Sequence, residues 1–134
     1  MRALLDTHTF LWWNLDDPSL STAAKDFIGD GQNEILLSAA SAWEIAIKYA
    51  KGRLSLPELP ERYIANRITH YSFQPLPIQL SHALRVASLP LIHHDPFDRL
   101  LLSLAKQEEL VFLTADEYLL GLKNTGIKLV DAKV

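Results

Sequence analysis

Short apolar runs alternate along this chain with longer stretches whose apolar residues recur every three or four positions, the mark of strands alternating with helices. Residues 2–5 read as a short buried strand and 9–15 as a helix rich in aromatics. Asp17-Pro18-Ser19 breaks the chain; Ser21 or Thr22 then caps a helix that Gly29-Asp30-Gly31 stops. Residues 34–38 form the second strand. Over 39–51, Trp43, Ile47 and Ala50, with Leu54 beyond, recur at helical spacing, and Gly52 ends the element. After a proline-containing loop at 54–60, residues 61–70 read as helix. The 73–78 segment is strand-like but carries Pro75 and Pro77, which places it at a sheet edge. A helix over 79–88 stops before Pro90. Asp95 caps the next helix with Pro96 at its first position and Phe97, Leu100, Leu101 and Leu104 facing the core. Residues 110–114 form a strand, 117–123 a short helix and 127–130 the last strand.

Strands alternating with helices imply right-handed crossovers and a mostly parallel sheet covered on both faces. The predicted fold class is therefore α/β, a three-layer α/β/α sandwich with about five short strands. At 134 residues the chain is the size of one ordinary domain, so a single domain over 1–134 is expected. Hydrophobic residues at 49% and charged residues at 22% are a globular composition rather than a disordered one. No apolar run approaches the roughly 20 residues that cross a bilayer, and the amino terminus lacks the pattern of a secretion signal. The expectation is a cytoplasmic protein with no membrane partner. The chain has no cysteine, which excludes disulfides, thiolate metal ligands and a thiol nucleophile.

The candidate chemistry lies in four acids: Asp6 after the first strand, Glu44 in Ser-Ala-Trp-Glu-Ile-Ala-Ile-Lys, Asp98 in Asp-Pro-Phe-Asp-Arg-Leu-Leu, and Asp116 after Leu-Val-Phe-Leu-Thr. All four fall at the predicted carboxyl ends of strands or at the adjoining helix starts, which share one rim of a parallel sheet. Carboxylates a few Å apart repel by several kcal/mol at an effective dielectric of about 20, so a proton or a cation must sit among them. Oxygen-only donors suit Mg²⁺ or Mn²⁺, and the chemistry that follows is hydrolysis of a phosphodiester.

Each acid also has a plainer role. Asp6 and Asp116 suit helix caps, Asp98 complements a helix dipole, and Glu44 suits an ion pair with Lys48 one turn on. What capping does not require is that all four share one end of the sheet. His93 and His94 are close enough in sequence to Asp98 to reach a phosphate or a proton, but neither they nor His8, His70 and His82 have zinc-motif spacing. Trp12, Trp13 and Trp43 are able to stack on bases, although aromatics at helical spacing are more often core. A P-loop and a GxSxG elbow are both absent.

The net charge of −3 argues against bulk electrostatic coating of nucleic acid. Without the four site acids, though, 12 acids face 13 Lys plus Arg, a balance that permits local phosphate contact. Lys48, Lys51 and Arg53 are candidates for that contact, with an ordinary solvated face as the alternative.

The segments Leu-Leu-Asp6-Thr7-His8-Thr9, Ser38 to Lys48, Asp95-Pro96-Phe97-Asp98-Arg99-Leu100-Leu101 and Leu113-Thr114-Ala115-Asp116 resemble the four signatures of PIN-domain ribonucleases, above all the VapC toxins of type II toxin–antitoxin modules. The resemblance runs from residue 1 to about 130. It implies a Mg²⁺- or Mn²⁺-dependent endoribonuclease, a homodimer, and inhibition by a cognate antitoxin whose tail fills the active groove. It maps Asp6, Glu44, Asp98 and Asp116 onto the family's four acids, with Thr7 and Thr114 in supporting positions. A further acid and a Phe often follow in the family, where this chain has Glu117 and Tyr118. On this reading Asp6 and Asp98 hold the main cation, while Glu44 and Asp116 act through water or on a second ion. Water attacks in line and leaves 5′-phosphate and 3′-hydroxyl ends. The competing readings are a PIN-like nuclease acting on DNA or in RNA processing, and a catalytically idle α/β interaction domain.

Overall fold

A computed structural model describes residues 1–89, 95–122 and 125–133. Five strands, β1 (Arg2–Leu5), β2 (Glu34–Ser38), β3 (Gln74–Leu76), β4 (Val111–Thr114) and β5 (Leu129–Asp131), form one sheet in the order β3-β2-β1-β4-β5. Every neighbouring pair is parallel. Among the described residues the connections carry seven α-helices: α1 (Thr7–Leu15), α2 (Thr22–Gly29), α3 (Ala39–Ala50), α4 (Pro60–Tyr71), α5 (Leu80–Leu84), α6 (Pro96–Gln107) and α7 (Glu117–Leu120).

Strict alternation along the strands divides the core in two. Ala3 and Leu5, Ile35 and Leu37, and Val111 and Leu113 face one layer with Phe10, Ala24, Ile28 and Ile45. Leu4, Leu36 and Phe112 face the other, with Leu101, Leu104 and Leu119. Strands buried on both faces need apolar residues at every position, so they read as continuous hydrophobic runs. Both faces of the sheet are covered, as the three-layer expectation requires. Among the described residues, no helix is long and apolar enough to cross a membrane.

Several boundaries differ from expectation, each for a local reason. Helix α1 begins at Thr7 rather than residue 9, because Asp6 is its cap. The single helix expected over 79–88 is α5 followed by a 3₁₀ turn at Arg85–Ser88. Tightened last turns are common, and Leu89 is already extended, as the residue before a proline prefers. Strand β5 starts at Leu129 instead of 127, since the Thr125 hydroxyl accepts the Ile127 N–H at 3.2 Å and holds a local turn. Helix α7 ends at Leu120, with Gly121 as its C-cap.

The largest correction concerns α3. Trp43 is 59% exposed, with its ring set edge-on to Phe97 at 5.2 Å, whereas Ala40, Ser41, Glu44 and Ile45 are buried. The apolar spacing of Trp43, Ile47 and Ala50 therefore marks the wrong side of the helix. Leu101 and Leu104 of α6 are fully buried, but Phe97 and Leu100 are only partly so.

Candidate active site

The strand order reverses direction between β1 and β4: β2 and β3 lie to one side of β1, and β4 and β5 to the other. Crevices in open parallel sheets form outside the carboxyl ends of strands at such a switch point. Asp6 leaves β1 and Asp116 follows β4 at this place. A cavity of about 390 Å³ opens here, lined by Asp6, Glu44, Asp98 and Asp116 together with Thr7, His8, Trp12, Lys48, Asp95 and Ala115.

Asp6 lies deep, at 4% exposure. Its Oδ1 accepts the Thr9 N–H at 2.8 Å as the cap of α1, and its Oδ2 accepts the Thr114 hydroxyl at 2.6 Å. The same Thr114 oxygen accepts the Asp116 N–H at 3.1 Å, so one hydroxyl fixes the carboxylate after β1 and the backbone after β4. Asp116 in turn caps α7, its Oδ1 accepting the Tyr118 and Leu119 N–H groups. Local capping is therefore present at both acids, in addition to their place in the cavity wall.

Glu44, 8% exposed, is paired with Lys48 at 3.0 Å across one turn of α3. The Thr7 hydroxyl donates to Ser41 Oγ at 3.0 Å and ties the start of α1 to the face of α3 that carries Glu44. Asp98 is the third residue of α6, behind a cap in which Asp95 Oδ1 accepts from Phe97 and, at 3.4 Å, from Asp98.

The structure thus brings Asp6, Glu44, Asp98, Asp116, Thr7 and Lys48 to one cavity, with Thr114 buried just behind Asp6. Lys51, Arg53 and Glu117 are exposed and do not line it. His93 and His94 lie outside the described residues. Sequence reasoning missed Ser41, which its spacing three residues before Glu44 could have revealed, and treated Asp95 only as a cap. It weighed Trp12 for base stacking but favoured a core role, and considered His8 only against zinc spacing; the two stand four apart on α1 and share the face that looks into the cavity.

Among the described residues, no three His, Asp or Glu side chains stand together closely enough to hold a metal ion as they are. The donor set still fits a hard divalent cation. Mg²⁺ keeps several waters and uses only one or two carboxylates plus substrate phosphate. An ionised carboxylate offers about four lone-pair sites, and Asp6 spends one on Thr9 and one on Thr114, leaving two.

A family model described as the PIN domain matches residues 3–124. The chain belongs to the PIN domain family. Over a stretch of 55 residues it is 46% identical to ribonuclease VapC16 of Mycobacterium tuberculosis, covering 41% of this chain and 39% of that protein. In fold it resembles one chain of the crystal structure of VapBC2 from Rickettsia felis bound to a promoter DNA fragment. That match has a TM-score of 0.71 at 14% identity and covers 98% of each chain. A chain of a toxin–antitoxin complex from Klebsiella pneumoniae is similar over 97% of each chain, with a TM-score of 0.61 at 18% identity. At such identities the two structures speak for the fold alone. The span matched to the PIN family includes Asp6, Glu44, Asp98 and Asp116, the acids that line the cavity.

Proposed function

We propose that this PIN domain is a divalent-metal-dependent endoribonuclease and the toxin of a toxin–antitoxin module. The observation that carries the reading is that carboxylates from four separate elements, 110 positions apart at the extremes, line one cavity at the switch point of the sheet. The ribonuclease name of the VapC16 relative supports the RNA substrate, and the toxin–antitoxin complex among the similar structures supports an antitoxin partner. A second copy of the chain completes the proposed assembly.

Asp6 and Asp98 are the residues that would hold Mg²⁺ or Mn²⁺ directly, with Glu44 and Asp116 acting through water or on a second ion. Such a cation, when bound, polarises a phosphate oxygen and makes water a usable nucleophile near neutral pH. The chain's own contribution is placement. Thr114 holds Asp6 in register with the end of β4, and the Thr7–Ser41 bond sets α3 against α1. Lys48 balances the charge of the buried Glu44 and presents the cavity's single Lys or Arg among the described residues. Water adds to phosphorus, the bond to the 3′ oxygen breaks, and that oxygen leaves with a proton, giving 5′-phosphate and 3′-hydroxyl ends.

The test is digestion of total RNA by the purified chain with Mg²⁺ or Mn²⁺, with and without EDTA, and mapping of the cut ends. Metal-dependent cuts bearing 5′-phosphates, lost in Asp98→Asn, are the expected result. Cutting that persists in EDTA would overturn the metal dependence, and cutting that persists in Asp98→Asn would reduce Asp98 to a helix-start acid.

A further inference from the structure

We infer that His8 and Trp12 form a base-receiving wall of the acidic cavity, so that the strand cut carries an unpaired base turned out beside the scissile phosphate. This rests on the ribonuclease reading above and adds to it what the substrate must look like. Five carboxylates, those of Asp6, Glu44, Asp95, Asp98 and Asp116, line the cavity against Lys48, which is already engaged by Glu44 at 3.0 Å. Ionic attraction of these side chains for a polyanion is therefore weak here, and affinity beyond what a bound cation would supply has to come from elsewhere.

Opposite chemistry is present on α1. His8 and Trp12 lie one turn apart, both on the cavity wall, with ring centroids 6.3 Å apart and planes inclined at 56°. Trp12 is partly buried against the core, which holds the indole in place before any ligand arrives, and His8 is exposed. The rings are tilted rather than stacked on each other, which leaves ring surface for a third aromatic plane. Every base has such a plane, and base–aromatic stacking contributes about 1–3 kcal/mol per base without sequence preference. A cavity of about 390 Å³ admits one nucleotide-sized group, whereas a paired helix keeps its bases inside the stack.

The experiment uses the full chain with Mg²⁺ and a short RNA containing one mapped cut site, together with copies in which single nucleotides flanking the cut are abasic. In the native chain, loss of the base at one flanking position lowers kcat/KM by roughly 10- to 100-fold, the worth of one stacking contact. In Trp12→Leu, which keeps apolar packing without a ring, intact and abasic RNAs are cut at the same reduced rate, while Trp12→Phe restores most of the difference. His8→Phe, which keeps a ring and loses the imidazole nitrogens, retains the preference. Cleavage with a flat abasic profile in the native chain, or an unchanged penalty in Trp12→Leu, overturns this inference and leaves the ribonuclease reading standing. Absence of any metal-dependent cut overturns both.

Discussion

Asp6 and Asp116 both cap a helix with one carboxylate oxygen, yet Asp6 is 4% exposed and takes a second bond of 2.6 Å from the Thr114 hydroxyl, whereas Asp116 is only partly buried. Asp98 is partly buried like Asp116, and Glu44 is buried like Asp6. The cavity thus has a deep half built into the core's polar network and an outer half at helix starts. A deep carboxylate serves the fold and the site together, because a buried group must have its hydrogen bonds satisfied. An outer one is closer to water, so exchanging it for a neutral residue that still caps costs the fold less.

That contrast sets an order of effects on stability, measured by denaturant unfolding without metal. Asp6→Ala should cost the most, about 2–4 kcal/mol, since it removes the cap of α1 and leaves the buried Thr114 hydroxyl without its acceptor. RNA cleavage should fall together with stability. Thr114→Val comes next, at about 1.5–3 kcal/mol for one hydrogen bond to a charged group, with a roughly 10- to 100-fold loss of cleavage because Asp6 and the end of β4 are no longer held together. Trp43→Ala should cost about 0.5–1.5 kcal/mol, the scale of its edge-on contact with Phe97, because the indole is largely exposed. A loss above about 3 kcal/mol, as for a core Trp, would mean that α3 packs by its apolar stripe after all.

Asp98→Asn and Asp116→Asn should change stability least, within about 0.5 kcal/mol, while cleavage falls by more than about 100-fold. Asn caps a helix nearly as well as Asp, so the two readouts separate. If either substitution destabilises the chain as much as Asp6→Ala does, the distinction between deep and outer acids is gone. If both leave cleavage intact, the cavity is not where the chemistry occurs.

Much of this was legible along the chain because it depends on near neighbours. Ser21 and the Asp95-Pro96 pair cap their helices as read, since a cap is a bond between residues two or three positions apart. Strands β1, β2 and β4 were legible as apolar runs because both of their faces are covered. The orientation of α3 was not. Apolar periodicity locates a buried face only when burial is apolar, and here the buried face includes Ser41 and Glu44 while Trp43 is turned outward. A polar cavity next to a helix inverts the usual rule, and nothing in residues 39–51 announces that cavity.

By itself, then, the amino-acid order determined the alternation of strands and helices, the parallel sheet, and the presence of four acids at or shortly after the carboxyl ends of strands or in the first two turns of helices. Tertiary structure alone decided that those four acids meet, that a single threonine hydroxyl joins Asp6 to the chain at Asp116, and that Trp12 lines the cavity while Trp43 does not. The division is physical. Propensity, capping and hydrophobic period act over a few residues, whereas the strand order β3-β2-β1-β4-β5 brings together groups 110 positions apart through contacts that no local pattern encodes.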